Sequence, residues 1–225
     1  MTDRGVLFIV SSPSGGGKTT LIKQAMARLA AVGVASHFSV SHTTRAPRPA
    51  TDHPLRRGEV DGEDYHFVDL ETFDVMVRRD EFLEFADYAG HRYGTSRLEV
   101  DGRLADGVDV FLDIEVQGAN QVKSTIRDAV KIFVYPPSYE VLRERLTARR
   151  QDPPDAIRKR LGWALREFDV SGEFDYAIIN DRLDQAVDAL YGICLAEHHR
   201  LERMKPRLDA IRGAFRRALE EDLTT

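Results

Sequence analysis

The sequence predicts an α/β fold in which a parallel β-sheet carries helices on both faces. Three observations support this prediction. Short apolar runs alternate with amphipathic segments, a glycine-rich turn joins the first run to the first helix, and 225 residues suffice to bury a substantial core. In sheets of this kind, ligands bind beyond the carboxyl ends of the strands.

The core elements follow one another in a regular order. Continuous apolar runs predict buried strands at residues 6–10, 108–115, 131–135 and 175–179. Apolar side chains at helical spacing predict helices at residues 19–31, 116–126, 138–150, 155–170 and 183–200.

Two segments interrupt this order. Residues 39–107 begin polar and rich in turns and continue with β-like pieces at 66–69 and 82–88, which predicts an inserted mixed α/β subdomain. Residues 138–164 contain a stretch rich in proline and arginine at 148–155 and are interpreted as a helical lid. The remaining assignments are a core at residues 1–38, 108–137 and 165–200 and a C-terminal amphipathic helix at 201–225.

Composition limits the partners and the compartment. The formal net charge is −5 with both signs mixed, so nothing indicates a nucleic-acid polymer or an anionic membrane as partner. No apolar run reaches membrane-spanning length, and the N-terminus does not resemble a signal peptide. The single cysteine, Cys194, lies in a helical pattern and cannot form an internal disulfide. These features predict a soluble, cytoplasmic protein.

The glycine-rich turn has the sequence SSPSGGGKTT from Ser11 to Thr20. Its backbone N–H groups and the following helix N-terminus can bind phosphate oxygens, Lys18 can reach the terminal phosphates, and the Thr19 hydroxyl can ligate Mg²⁺. Ser12 stands where the strict motif has glycine, and an ordinary strand-to-helix turn is the alternative interpretation. The predicted nucleotide-binding residues of the turn are Ser14, Gly15, Gly16, Gly17, Lys18, Thr19 and Thr20.

Two charged clusters indicate phosphate and metal binding when they occur together with such a loop. Arg45 and Arg48 lie three residues apart on a proline-bounded segment, where two guanidinium groups can clamp one phosphate. Asp113 and Glu115 end an apolar strand and are predicted to point to one side of the sheet, in a pattern that resembles a Walker B element. Taken alone, either cluster also fits an ordinary solvated loop or strand end.

A basic series follows on the predicted lid, at Arg145, Arg149, Arg150 and Arg160. Arginines on a closing lid can neutralise the charge of a transferring phosphoryl group and exclude water. Exposed arginines paired with carboxylates of the same helices are an equal alternative, residue by residue.

Five motifs follow one another along the chain: TTRAPRP, GEVDGEDYHFV, FLEFADYAGHRYGTS, LDIEVQGA and IIND. In this succession the chain resembles the guanylate kinases, and the resemblance extends over about residues 4–200. It implies a P-loop NTPase-type core, an inserted GMP-binding subdomain and a helical lid. It also implies that ATP donates its γ-phosphate to GMP, with dGMP as a further acceptor, in purine nucleotide metabolism and with Mg²⁺ as cofactor.

The same resemblance assigns residues to the substrates. The GMP phosphate would be held by Arg45, Arg48, Tyr65 and Tyr93, and the guanine would be read by Ser41, Glu84, Thr95 and Glu115. The metal would lie near Thr19 and Asp113, and the donor adenine near Asn180. The catalytic set would comprise Lys18, Arg45, Asp113, Arg145, Arg149 and Arg160. Ser12, an insertion at residues 50–57 and Arg150 in place of glycine depart from the family pattern, but none removes a motif side chain.

A physical argument from the base supports GMP as the acceptor. The pairing edge of guanine donates from N1 and N2, so its pocket needs acceptors, which Glu84 and Glu115 supply. A kinase for another monophosphate, such as AMP, shares the loop and the lid but not this pair. A related binding module without catalysis would be expected to have lost Lys18 and Thr19.

The last segment carries an apolar stripe through Leu201, Leu208 and Phe215 at helical spacing. Pro206 is expected to kink or restart this helix. The stripe either folds back onto the core or forms a homo-oligomer contact, and the second interpretation is slightly favoured.

Overall fold

The computed structural model describes residues 4–50, 57–88, 90–148 and 154–224. Within these residues the chain forms two β-sheets. The strands are, in chain order, β1 (Leu7–Ser11), β2 (Ser36–Phe38), β3 (His42–Thr43), β4 (His66–Phe67), β5 (Phe82–Tyr88), β6 (His91–Ser96), β7 (Asp109–Asp113), β8 (Val130–Tyr135) and β9 (Tyr176–Ile179).

The helices of the described residues lie between and after these strands. They are α1 (Lys18–Ala31), α2 (Leu70–Arg78), α3 (Arg97–Ala105), α4 (Val116–Thr125), α5 (Tyr139–Ala148), α6 (Pro154–Val170), α7 (Leu183–His198) and α8 (Leu201–Thr224). A short 3₁₀ turn at Ser171–Glu173 separates α6 from β9. None of the helices in this part of the chain combines the length and the apolar composition that a membrane span requires.

The larger sheet has the strand order β2, β7, β1, β8, β9, and all neighbouring strands are parallel. Along β1, Phe8 and Val10 belong to the core cluster formed with α1 and α7, whereas Leu7 and Ile9 belong to the cluster formed with α3 and α4. Burial on both faces explains why β1 is a continuous apolar run. The predicted parallel sheet with helices on both faces is confirmed.

The sheet brings two predicted site segments together at one edge. The glycine-rich turn leaves the carboxyl end of β1, and α1 begins at Lys18, one residue earlier than predicted. Strand β7 pairs with β1 in a register that sets Val10 beside Asp113. The last residue of β7 therefore lies next to the start of the turn.

The smaller sheet forms the inserted subdomain, with the strand order β4, β3, β6, β5. Helix α2 is capped by Asp69, which accepts a hydrogen bond from the Thr72 N–H at 2.7 Å, and it packs Phe73 against this sheet. The side-chain amide of Gln121 on α4 donates to the Phe85 carbonyl and accepts from the Phe85 N–H, at 2.9 and 3.2 Å. These bonds tie β5 to the core.

The predicted lid consists of α5 and the first part of α6. Leu142, Leu146 and Ala164 form a small apolar cluster between the two helices. Helix α6 continues without a break through position 165, where the sequence suggested a boundary between lid and core. Residues on the last turns of α6 are therefore part of the same rigid element as the lid arginine at position 160.

Two local predictions differ from the structure. The strand predicted at 108–115 ends at Asp113, and Glu115 occupies the N-cap of α4 with extended backbone angles. At the C-terminus α7 and α8 separate at residues 199–200, close to the predicted boundary, whereas α8 does not restart at Pro206, which lies inside it. No residue of α8 within the described range is fully buried: Met204 and Leu208 are half buried, whereas Ile211 and Phe215 are exposed, so the stripe from Ile211 onward does not fold back onto the core.

Candidate active site

The turn between β1 and α1 has a shape that requires its glycines. Gly15 and Gly17 have φ angles of 93° and 87°, which L side chains rarely adopt. The φ angle of Ser12 is not positive: in the described part of the chain, Asp80 is the only non-glycine residue with a positive φ. A Cβ atom at Gly16 would lie 2.2 Å from the Ser12 Oγ, so the Ser12 side chain occupies that space.

Lys18, Thr19 and Asp113 form a compact polar group beside the turn. The Lys18 Nζ donates to the Ser12 carbonyl at 2.8 Å and lies 3.6 Å from the Asp113 Oδ1. The Thr19 hydroxyl donates to the Asp113 Oδ2 at 2.6 Å. A hydroxyl and a carboxylate in contact supply the hard oxygen ligands that Mg²⁺ prefers.

Asn180 connects the turn to the lid. Its buried side-chain amide donates to the Gly16 carbonyl at 2.8 Å, and its backbone carbonyl accepts from the Arg145 Nη2 at 2.9 Å. The Arg145 Nη1 is buried and has no hydrogen-bond partner within the described residues. The amide of Asn180 is thus engaged with the turn itself, while Arg145 keeps a donor that an anion can satisfy.

Arg45 and Arg48 belong to the inserted subdomain, near the beginning of its polar segment. Glu59 holds both of them: it pairs with the Arg45 guanidinium and accepts the Arg48 backbone N–H at 2.7 Å. Burial lowers the pKa of Arg45, but its bonds to Glu59 and Tyr93 outweigh burial and raise that pKa. Arg45 is therefore a fixed positive charge.

Two tyrosines, Tyr65 and Tyr93, lie in contact with Arg45. The Tyr65 ring lies 5.8 Å from the Tyr93 ring and carries the Arg45 guanidinium over its face at 5.3 Å. Burial, and to a smaller degree the Asp113 carboxylate, raise the pKa of Tyr65 to about 12. Its hydroxyl therefore remains protonated and can donate to an anion.

Glu84 on β5 and Glu115 at the N-cap of α4 supply two carboxylates to one cavity. Glu84 is 4% exposed, its Oε1 accepts from the Thr95 hydroxyl at 2.6 Å, and a Cβ atom at Gly118 would lie 2.5 Å from its Oε2. Burial raises the pKa of Glu84 to about 7; the Thr95 bond acts against this rise and Glu115 adds to it. Burial also raises the pKa of Glu115 against the attraction of Lys18.

Sequence reasoning did not identify Glu167, which α6 directs into the same cavity. Burial raises its pKa to about 7, and the charges that act on it most are those of Lys18 and Glu115. Neither the Glu167 Oε2 nor the Glu115 Oε1 has a hydrogen-bond partner within residues 4–50, 57–88, 90–148 and 154–224. Both carboxylates can accept donors from a ligand.

A cavity of about 270 Å³ joins these groups. The predicted residues that line it are Ser14, Lys18, Ser41, Arg45, Arg48, Tyr65, Glu84, Tyr93, Asp113, Glu115 and Arg160. Thr19 lines an adjoining cavity, and Thr95 is buried behind Glu84. Arg149 and Arg150, predicted on the lid, lie outside the described residues, as do positions 51–56 of the insertion.

The chain is similar in sequence and in structure to known guanylate kinases. The family model "Guanylate kinase" matches residues 4–197. A guanylate kinase of Alkalilimnicola ehrlichii is 44% identical over 204 residues, covering 91% of this chain and 95% of that protein. A guanylate kinase of Thermus thermophilus is 45% identical over 222 residues, covering 98% and 94%. The crystal structure of guanylate kinase from Anaplasma phagocytophilum matches with a TM-score of 0.69 and 32% identity, covering 90% of each chain.

Proposed function

The chain belongs to the guanylate kinase family, and from this membership we propose how its residues divide the work of the reaction. The enzyme transfers the γ-phosphate of ATP to GMP and produces ADP and GDP. The observation that carries the residue assignments is the cavity in which the phosphate loop, an arginine pair and buried carboxylates meet.

The donor phosphates of ATP are assigned to residues 14–20. Helix α1 has no side-chain cap and no acidic residue in its first turn, so its N–H groups and its positive end remain available to an anion. Lys18 would supply positive charge for the terminal phosphates. The adenine of ATP is assigned to the surroundings of Asn180, whose side chain also supports Gly16.

Mg²⁺ is the proposed cofactor, and Thr19 and Asp113 would hold it, directly or through water. Their contact at 2.6 Å sets two oxygen donors side by side next to the loop. A magnesium ion in this place supplies positive charge to the phosphate oxygens. Lys18 balances the Asp113 carboxylate from the other side.

GMP is assigned to the inserted subdomain. Arg45, Arg48, Tyr65 and Tyr93 would donate to its phosphate, and the two carboxylates of Glu84 and Glu115 would accept from its N1 and N2 groups, assisted by Ser41 and Thr95. Guanine donors stabilise the ionised form of Glu84, so we expect GMP binding near pH 7 to release a proton.

Phosphoryl transfer in this arrangement depends on positioning and charge. The arginine pair and Lys18 line the same cavity, so the GMP phosphate and the γ-phosphate can be brought together for in-line attack without a covalent enzyme intermediate. Arg145, Arg149 and Arg160 are assigned to the transferring group, and lid closure would exclude water from it.

One assay tests the acceptor assignment. ADP release from ATP is measured with GMP, dGMP, AMP, CMP and UMP in turn. We expect turnover with GMP and dGMP and at least a hundredfold lower kcat/KM with AMP, whose pairing edge lacks the N2 donor and would leave the carboxylates unsatisfied. Comparable turnover with AMP would contradict the base-reading assignment.

Location and self-association complete the proposal. We assign the enzyme to the cytoplasm, because its only cysteine is a buried free thiol and its substrates are nucleotides of central metabolism. The apolar stripe of α8 includes Ile211, Phe215 and Leu219, which are 55%, 77% and 60% exposed. A second copy of the chain is the proposed partner of this stripe.

A further inference from the structure

The ion pair between Arg45 and Glu59 has two points of contact. The Arg45 Nη2 donates to the Glu59 Oε1 at 2.8 Å, and the Arg45 Nη1 lies 2.8 Å from the Glu59 Oε2. Their side chains are only 11% and 17% exposed. A bidentate pair that is shielded from water fixes the plane of the guanidinium as well as its position.

The same carboxylate also fixes the neighbouring arginine. The Glu59 Oε2 accepts the Arg48 backbone N–H at 2.7 Å, and the Glu59 N–H donates to the Arg48 carbonyl at 2.9 Å. These two bonds close the base of the inserted segment. A Cβ atom at Gly58 would lie 3.1 Å from the Ala50 nitrogen, so the two ends of that segment are in contact.

We propose that Glu59 is a positioning residue for the acceptor: it holds Arg45 and Arg48 as one preformed phosphate clamp and separates this clamp from the insertion at residues 50–57. The inference rests on the proposed assignment of both arginines to the GMP phosphate. A guanidinium has five N–H donors, and the Arg45 contacts to both Glu59 oxygens, to the Ala46 carbonyl and to Tyr93 leave one of them for a ligand. The carboxylate therefore orients Arg45 without replacing the ligand.

The competing possibility is that Glu59 occupies the place of the phosphate and must be displaced by it. The two possibilities predict opposite changes in GMP affinity when the charge of Glu59 is removed. Removal of an orienting charge weakens GMP binding, because a free arginine side chain must then be ordered by the ligand. Removal of a competing charge strengthens it.

Glu59→Gln keeps the size of the side chain and removes its charge. We expect the KM for GMP to rise about tenfold, while kcat and the KM for ATP change less than about twofold. Glu59→Asp keeps the charge with a shorter reach and should restore part of the affinity. The matched control is Glu63→Gln on the same segment, whose side chain is 65% exposed and which should leave all constants unchanged. Thermal unfolding of each variant shows that it is folded.

Arg45→Ala separates this inference from the site assignment. An unchanged KM for GMP in Arg45→Ala would refute the assignment of Arg45 to the GMP phosphate. A raised KM in Arg45→Ala together with an unchanged or lowered KM in Glu59→Gln would overturn the positioning of the clamp alone. In the double variant, we expect Glu59→Gln to add much less than its tenfold effect; an equal effect in both backgrounds would show that Glu59 does not act through Arg45.

Deletion of residues 51–56 tests the separation from the insertion. The closed base should keep the KM for GMP within about twofold of the full chain, because loop length contributes little once the ends are fixed. A tenfold rise with Glu59 intact would show that the inserted segment, and not Glu59, supports the clamp.

Discussion

Replacing Glu84 with glutamine should stabilise the free protein and at the same time impair its reaction with GMP. The carboxylate is 4% exposed, and among the described residues only the Thr95 hydroxyl and the Thr95 backbone stabilise its charge, with Glu115 nearby as a like charge. The folded protein therefore holds an ionised group in a place that disfavours ionisation. Glutamine removes the charge but retains an oxygen for the Thr95 bond.

The size of the stability effect follows from the pKa of Glu84, which burial raises from 4.5 to about 7. Because the folded-state pKa lies above the unfolded one, the penalty is absent below pH 4.5, grows as the pH rises, and is complete above pH 7. It amounts to roughly 3 kcal/mol, which corresponds to a Tm increase of up to about 10 °C for a chain of this size. This is an upper limit, because the amide Nε2 would face Gly118 in place of a carboxylate oxygen.

The assay compares the Tm of Glu84→Gln and of the unmodified chain at pH 5 and at pH 8. We expect a small difference at pH 5 and a clear gain at pH 8, with an unchanged far-ultraviolet circular dichroism spectrum. In parallel, kcat/KM for GMP should fall at least tenfold, because a charge-assisted acceptor worth roughly 1.5–3 kcal/mol is lost. Equal Tm differences at both pH values would refute the argument from burial, and an unaltered kcat/KM would refute the base-reading role.

Three further predictions concern the phosphates and the C-terminus. Lys18→Ala should lower kcat by orders of magnitude while GMP binding, measured by calorimetry, changes little; a near-normal kcat would contradict the phosphate-loop assignment. Arg45→Ala and Arg48→Ala should each weaken GMP binding by roughly 1.5–3 kcal/mol and leave ATP binding unchanged, whereas equal losses for both nucleotides would argue against separate phosphate sites. A chain ending at Arg200 should be monomeric by light scattering and the full chain oligomeric; if both are monomers, α8 is not the contact. Because the described residues of α8 bury no side chain fully against their own chain, a fall in Tm on truncation should come from the lost contact between copies, and the Tm of the full chain should therefore rise with protein concentration.

The core of this fold could be predicted because its central strands β1, β7 and β8 are buried on both faces and its helices on one. The edge strand β2 was not predicted, since its three residues are only half buried and form no apolar run. The strand predicted at residues 108–115 is too long at its carboxyl end. Strand β7 ends at Asp113, but Ile114 continues the apolar pattern past that point. The boundary between α7 and α8 lies close to the predicted one at residues 200 and 201, but the restart expected at Pro206 is wrong, because this proline lies inside α8.

The site could be predicted where a motif fixes the spacing of its residues, as in the phosphate loop. Glu59 and Glu167 were not predicted as site residues, because their chemistry depends on residues that only folding brings near them. Glu59 is one of several acidic residues in its segment, and only the contact with Arg45 distinguishes it. Gly118 also carried no signal, although its missing side chain leaves the space that the Glu84 carboxylate occupies.

The pairing of Ser12 with Gly16 bears on how this loop can evolve. The φ angle of Gly16 is not positive, so its backbone would accept another residue. A side chain is excluded there by a neighbour, because a new Cβ would meet the Ser12 Oγ at 2.2 Å and the Ser12 Cβ at 2.8 Å. Positions 12 and 16 are therefore not free to vary independently. Alanine at position 16 requires that position 12 first lose its side chain, as in glycine, and that the Pro13 carbonyl oxygen, 3.0 Å from the new Cβ, move by a few tenths of an ångström. The history of one substitution decides whether the other is harmful or neutral.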